Sequence, residues 1–205
     1  LYANPQSVLL LDDPDAHLRL GRAYLKAGDF AGTTKVLMDY VQGHPKEGVH
    51  VLPVLAQACF EMKRLDWSLT FFKRYLDQID PAERALYEDI RPLASPEEIA
   101  EYEATDAPLP ATDVTGATDE KWEAFLRRFW AKRDRDLTTT ANERLLEHYR
   151  RVSYARLYFS KGKQPWDRRG EVYIRFGEPD HRSRSDEVNF RQSLGVQRVR
   201  DRMIG

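Results

Sequence analysis

The chain has 205 residues, of which 41% are apolar and 32% charged, with a net charge of −1. That composition excludes a disordered polyelectrolyte and fits one globular domain or two small ones. The single cysteine, Cys59, excludes an intrachain disulfide and a cysteine-built metal centre, and no apolar run approaches the roughly 18 residues of a membrane-spanning helix. Charge is split along the chain: residues 1–110 balance at −7 and residues 111–205 at +6, which supports two units that attract each other or meet partners of opposite sign. Starting at Leu1 rather than Met, the chain reads as a mature or trimmed form.

From the N-terminus, Leu20-Gly21-x-x-Tyr24 is followed by Phe30, Thr33, Leu37, Tyr40 and Pro45. The same template returns 35 residues later as Leu55-Ala56-x-x-Cys59, then Leu65, Ser68, Phe72 and Tyr75, with Pro81 one place late. Small residues at Gly21 and Ala56 let the first helix of each unit approach the second, which receives it at Thr33 and Ser68. Gly28 and Lys63-Arg64 stand where the helices turn, and each closing proline starts the next helix. This spacing resembles the tetratricopeptide repeat over about residues 14–81, and two such repeats need a cap because about three are required to stand alone. Residues 81–90 read as a short capping helix with Leu86 and Ile90 on one face. Ser95-Pro96-Glu97-Glu98 is a strong helix start, with a hydroxyl cap, a proline at the first position and acids in the first turn.

Residues 105–118 are rich in Pro, Thr, Asp and Gly and read as a linker. Beyond them Trp122, Phe125, Leu126, Phe129 and Trp130 form one apolar helical stripe. A capping-box pattern at Thr140-x-x-Glu143 opens the next helix, which runs to about Phe159 with Leu145, Leu146, Tyr149, Val152 and Ala155 on its buried side. After Gly170, the alternation of Val172, Ile174 and Phe176 with polar neighbours predicts a strand over Glu171–Phe176. Gly177-Glu178-Pro179-Asp180 closes it in a turn. A lone strand needs partners from elsewhere. The remainder, from His181, is polar and basic.

The succession KWEAFLRRFWAKRDRD, TANERLLEHYRRVSYARLYF and PWDRRGEVYIRFGEPD resembles the bacterial GWxTD-domain family over about residues 83–185. The chain keeps Trp166 and Arg169-Gly170 of the naming motif but has Pro165 for its glycine and no Thr-Asp pair. The resemblance implies a bacterial source, often an exported or envelope protein, periplasmic or membrane-peripheral, with a cytoplasmic placement as the alternative. It implies no particular activity.

Three candidate chemistries follow. Trp166, Asp167, Arg169, Glu178 and Asp180 could form a ligand site, with Trp166 stacking and the charges orienting, as in a hydrolase or carbohydrate-binding domain. Paired carboxylates do acid–base work only when one is raised by burial. The five histidines show no metal-ligand spacing, and Cys59 sits at a buried repeat position, so no metal or cofactor is expected. The C-terminal arginines are interleaved with acids and poor in aromatics, which argues against nucleic acid and for an arm that binds protein.

The expected fold is therefore mainly α. A helical repeat domain (1–104) leads through the linker (105–118) to a small α+β domain (119–185) and an extended basic arm (186–205). The expected function is a non-enzymatic scaffold in a larger bacterial assembly, with a protein partner and no small-molecule substrate. Arg19, Arg22, Lys26 and Gln57, off the packing positions of the first helices, are the groove candidates.

Overall fold

The computed structural model describes residues 14–105, 117–134, 136, 138–139 and 141–179. Thr140, Asp180 and the basic arm lie outside the described residues, as does most of the linker. The first hairpin is α1 (Pro14–Lys26) and α2 (Phe30–Gly43), and the second, after a 3-10 turn over Glu47–Val51, is α3 (Leu52–Glu61) and α4 (Leu65–Leu76). Both turn by the same device. Gly28 and Lys63 adopt φ of 77° and 60°, and the following N–H donates back five residues, from Asp29 to the Tyr24 carbonyl and from Arg64 to the Cys59 carbonyl, each at 2.9 Å. Asp29 then caps α2 by accepting from Gly32 N–H.

The small residues act as their spacing predicts. A Cβ on Gly21 would stand 2.8 Å from the Leu37 side chain, and the Thr33 hydroxyl donates to the Gly21 carbonyl at 3.3 Å. Leu37, Leu52, Leu55, Ala56 and Phe72 are fully buried in the shared core of the two hairpins. Each large side chain there contributes about 1.5–3 kcal/mol by leaving water.

Next come α5 (Pro81–Glu88), α6 (Pro96–Glu103) and α7 (Ala117–Ala131). Asp80 caps α5, and Ser95 and Glu98 complete a capping box on α6. Ile90, just past the end of α5, joins Trp122, Phe125, Phe129 and Trp130 of α7 in a second core, with Tyr102 of α6 edge-on to Trp122 at 4.7 Å. Arg133 locks α6 to the end of α7: its guanidinium forks onto Glu98 at 3.0 and 2.6 Å and lies 3.6 Å from the Phe129 ring centre.

Residues 171–176 are helical, which corrects the expected strand and with it the small α+β domain. Helix α9 (Arg168–Phe176) follows α8 (Glu143–Tyr158), and no strand occurs among the described residues. Asp167 caps α9 by accepting from Arg169 N–H. The buried residues Gly170, Tyr173 and Ile174 fall at i, i+3 and i+4, whereas Val172 and Phe176 of the alternating set are 56% and 70% exposed. A strand would have put Val172, Ile174 and Phe176 on one face.

Helices α8 and α9 form a third hairpin in the same stack. Helix α3 packs on α2 and α1, and in the same way α8 packs on α4 and α3 and carries α9 on its other side. The template positions recur. Gly21 and Ala56 are matched by the fully buried Ala155, Thr33 and Ser68 by Gly170, and Leu37 and Phe72 by Ile174. A nine-residue loop, 159–167, replaces the three-residue turns of the first two hairpins. An apolar core therefore joins residues before 106 to residues after 116: Leu76 and Tyr87 pack with Val152, Ala155 and Ile174.

Candidate functional site

The first helix of each hairpin turns one side outward. On α3, Pro53, Gln57, Phe60 and Glu61 are half-buried while Leu52, Val54, Leu55, Ala56, Ala58 and Cys59 are buried. On α1 the same side holds Arg19 and Lys26, both exposed, and Arg22, half-buried, at i, i+7 and i+3 of one helical face. Arg22 and Gln57 occupy one template position 35 residues apart, and Arg19 and Lys26 lie beside Arg22 on α1. The Nε of Arg22 is shut off from solvent with no hydrogen-bond partner. Next to Gln57, the Phe60 ring lies between cations, Lys63 at 5.6 Å and Arg150 of α8 at 5.3 Å, and Arg150 also pairs with Glu61 at 3.5 Å.

On the third hairpin this outward side is covered by α5. Helix α5 runs antiparallel to α8, with Glu83 against Arg156 and Tyr87 against Ser153 and His148. Arg156, at the template position of Arg22 and Gln57, forks onto Glu83 at 2.7 and 2.6 Å and donates a further bond to the Pro165 carbonyl at 3.1 Å. The Tyr87 hydroxyl meets Ser153 Oγ at 3.2 Å. His148, fully buried against Trp130, must carry its proton on Nε2, because that atom reaches the Tyr87 carbonyl at 3.0 Å. Burial pushes the His148 imidazole down to about 4. Among the described residues, the groove is thus filled by the protein's own helix at α8 and carries no such helix along α1 and α3.

The described members of the second set, Trp166, Asp167, Arg169 and Glu178, do not converge. Trp166 is half-buried over Gly170, where a Cβ would stand 2.5 Å from the Trp166 Cβ. Asp167 is the cap of α9 and takes the Arg169 guanidinium at 3.1 and 2.8 Å. The hydrogen bond from Arg169 holds the Asp167 carboxyl below the usual carboxylate range, the opposite of what a general acid needs. Arg169 also lies 5.2 Å from the Phe159 ring centre. Glu178 is exposed past the far end of α9, roughly 13 Å of helix from Asp167. Two carboxylates cleaving a glycosidic bond stand about 5–9.5 Å apart.

Several contributors were missed in the sequence. Arg151, 8% exposed, donates to the Ile174 and Arg175 carbonyls at 3.2 and 3.1 Å and pairs with Glu147. It thereby satisfies the C-terminal carbonyls of α9. Around Tyr40 the fold gathers three histidines distant in sequence: His17 and His44 stack on the ring at 4.5 and 4.7 Å, and His50 meets it edge-on at 6.3 Å. Cys59 is buried, and burial pushes its thiol up.

Residues 111–191 match the family model of the GWxTD domain. The GWxTD match begins at 111 rather than 83, so it spans α7, α8 and α9 and leaves the first two hairpins outside. Within it, the altered motif Pro165–Gly170 forms the loop and cap that deliver α9 to α8. No curated protein and no solved structure matches the chain.

Proposed function

We propose that the chain is a non-enzymatic protein-interaction scaffold built on tetratricopeptide-like hairpins, an accessory subunit of a larger bacterial assembly at the cell envelope, periplasmic or membrane-peripheral. The observation that carries this reading is the outward side of α1 and α3: Arg22 and Gln57 lie in register on equivalent helices, with Arg19 and Lys26 beside Arg22, while their counterpart on α8 already holds a helix. Helix stacks with such a side present extended binding surfaces. Two further observations support it. Asp167 and Arg169 are engaged with each other and with the start of α9, which leaves the hydrolase or carbohydrate alternative without a converging acid pair among the described residues. No helix among the described residues is long and apolar enough to cross a membrane, which fits a peripheral rather than an embedded subunit. The bacterial and envelope placement rests on the likeness of residues 111–191 to the GWxTD domain.

A photo-crosslinking residue in place of Gln57, with the exposed Lys35 of α2 as control, tests the scaffold in cells of the source organism. The expected result is a discrete cross-linked protein from Gln57 and none from Lys35. Equal labelling from both positions, or none from either together with turnover of a glycan by the purified chain, contradicts it.

A further inference from the structure

The molecule contains its own example of how this face takes a ligand. On α8, Arg156 receives a carboxylate from an antiparallel helix through two short bonds, Nε to Oε1 at 2.7 Å and Nη2 to Oε2 at 2.6 Å. Arg22 stands at the same template position on α1, and its Nε is likewise turned away from solvent, but it meets no acceptor. A guanidinium donor withdrawn from water without a bond is unfavourable, and a fork-on carboxylate would relieve it. Of its neighbours on that helical face, Lys26, one turn on, has the matching sign, Arg19 and Asp15 are of opposite charge to each other, and Gln57 adds a neutral donor and acceptor one hairpin on. A planar carboxylate suits the Arg22 fork better than a lone point contact would.

We infer that the open part of the groove docks an acidic helix of a partner protein, antiparallel to α1, with a glutamate or aspartate forked onto Arg22 as Glu83 is forked onto Arg156. This rests on the scaffold reading and names the chemistry of the partner. Lys26, one turn beyond Arg22, favours a second carboxylate on the contacting face of that helix. The order of contacts follows from α5: the anchoring acid lies toward the N-terminus of the docked helix and toward the C-terminus of α1, and an apolar or aromatic residue one turn later points between α1 and α3.

The test uses the full chain and a labelled synthetic peptide with the sequence of residues 79–91, IDPAERALYEDIR, as a surrogate acidic helix. Fluorescence anisotropy should show saturable binding that Arg22→Gln weakens at least tenfold. Replacing the peptide's glutamate at position 83 by glutamine should weaken it to the same degree, and the two changes together should cost no more than either alone. In wild-type protein the Arg22 Nε–H resonance should move downfield on peptide addition, a readout that does not depend on any variant folding. Binding indifferent to Arg22→Gln, binding lost instead with Arg156→Gln because the peptide merely exchanges with α5, or no binding at millimolar peptide would overturn the proposal. A protein still cross-linked at Gln57 in the Arg22→Gln chain would overturn the acidic-helix proposal while leaving the scaffold reading intact.

Discussion

Arg156 and Glu83 meet across 73 residues of sequence as a two-point fork that fastens α5 to α8. Both side chains keep only a quarter to a third of their exposure (31% and 24%), so the pair is partly shielded from solvent. Removing one partner leaves the other's donors or acceptors stranded at a helix interface. Glu83→Gln is expected to cost about 1–2 kcal/mol in denaturant unfolding, and the double variant with Arg156→Gln should cost clearly less than the sum of the two singles. Additive losses would mean that the fork does not act as a unit.

Arg151 carries a different load. It is the donor for the last carbonyls of α9, and Gly177, at φ 88°, turns the chain so closely under it that a Cβ would stand 2.7 Å from Nη2. Arg151→Met should destabilise the fold by about 2–4 kcal/mol, because it leaves buried carbonyls and Glu147 unpaired. Gly177→Ala should cost about 1–2 kcal/mol through backbone strain and the displaced guanidinium. Amide exchange should speed up first in residues 168–176 in both variants.

Acid should weaken the fold through His148. The unfolded chain takes up a proton at this residue below about pH 6.5, whereas the folded chain resists protonation until about 4. The unfolded state therefore binds more protons in that window, so stability rises with pH there and is lost as pH falls from about 6.5 to about 4. The full contribution is about 3 kcal/mol. His148→Gln, which can still donate to the Tyr87 carbonyl, should flatten the dependence of unfolding free energy on pH between those limits. An unchanged slope would remove His148 as its source.

Gly170 tests the helical packing of the third hairpin. In an exposed helix, Gly→Ala stabilises by about 1 kcal/mol. At Gly170 the added Cβ meets Trp166 at 2.5 Å, from a neighbouring turn that cannot swing away as a flexible side chain could. Gly170→Ala should therefore destabilise, by about 1–3 kcal/mol, and Trp166 fluorescence should report the shift. A gain in stability would place Trp166 elsewhere.

The first two hairpins were legible in the sequence because their template is local: Gly21 against Leu37, Thr33 below Gly21, and turns of three residues that keep both copies in register. The capping box at Ser95 and the stripe from Trp122 to Trp130 were legible for the same reason. Helix α9 was not, because over six residues an alternating pattern and a helical one can share Ile174, and Val172 and Phe176 weigh toward a strand by type alone. The signal that could have found it is Tyr154-Ala155-x-x-Tyr158, a third copy of Leu20-Gly21-x-x-Tyr24, followed by Asp167 as a helix cap. The nine-residue loop hid it by shifting Gly170 and Ile174 out of register. The pairs Arg156–Glu83 and Arg133–Glu98 depend on how helices far apart in sequence pack, and no spacing rule reaches them. The same holds for the site, where Arg22 and Gln57 could be named from their template positions but the filled end of the groove could not.

Residues 168–176 complete a helical stack, and that places Arg156 in register with Arg22 and α5 in the groove. Backbone NMR of the full chain measures this directly. Downfield Cα secondary shifts and strong sequential amide–amide contacts through Glu171–Phe176, with a contact between the Ala155 methyl and Ile174, are the predicted result. Upfield Cα shifts in that segment with cross-strand contacts in their place would contradict it.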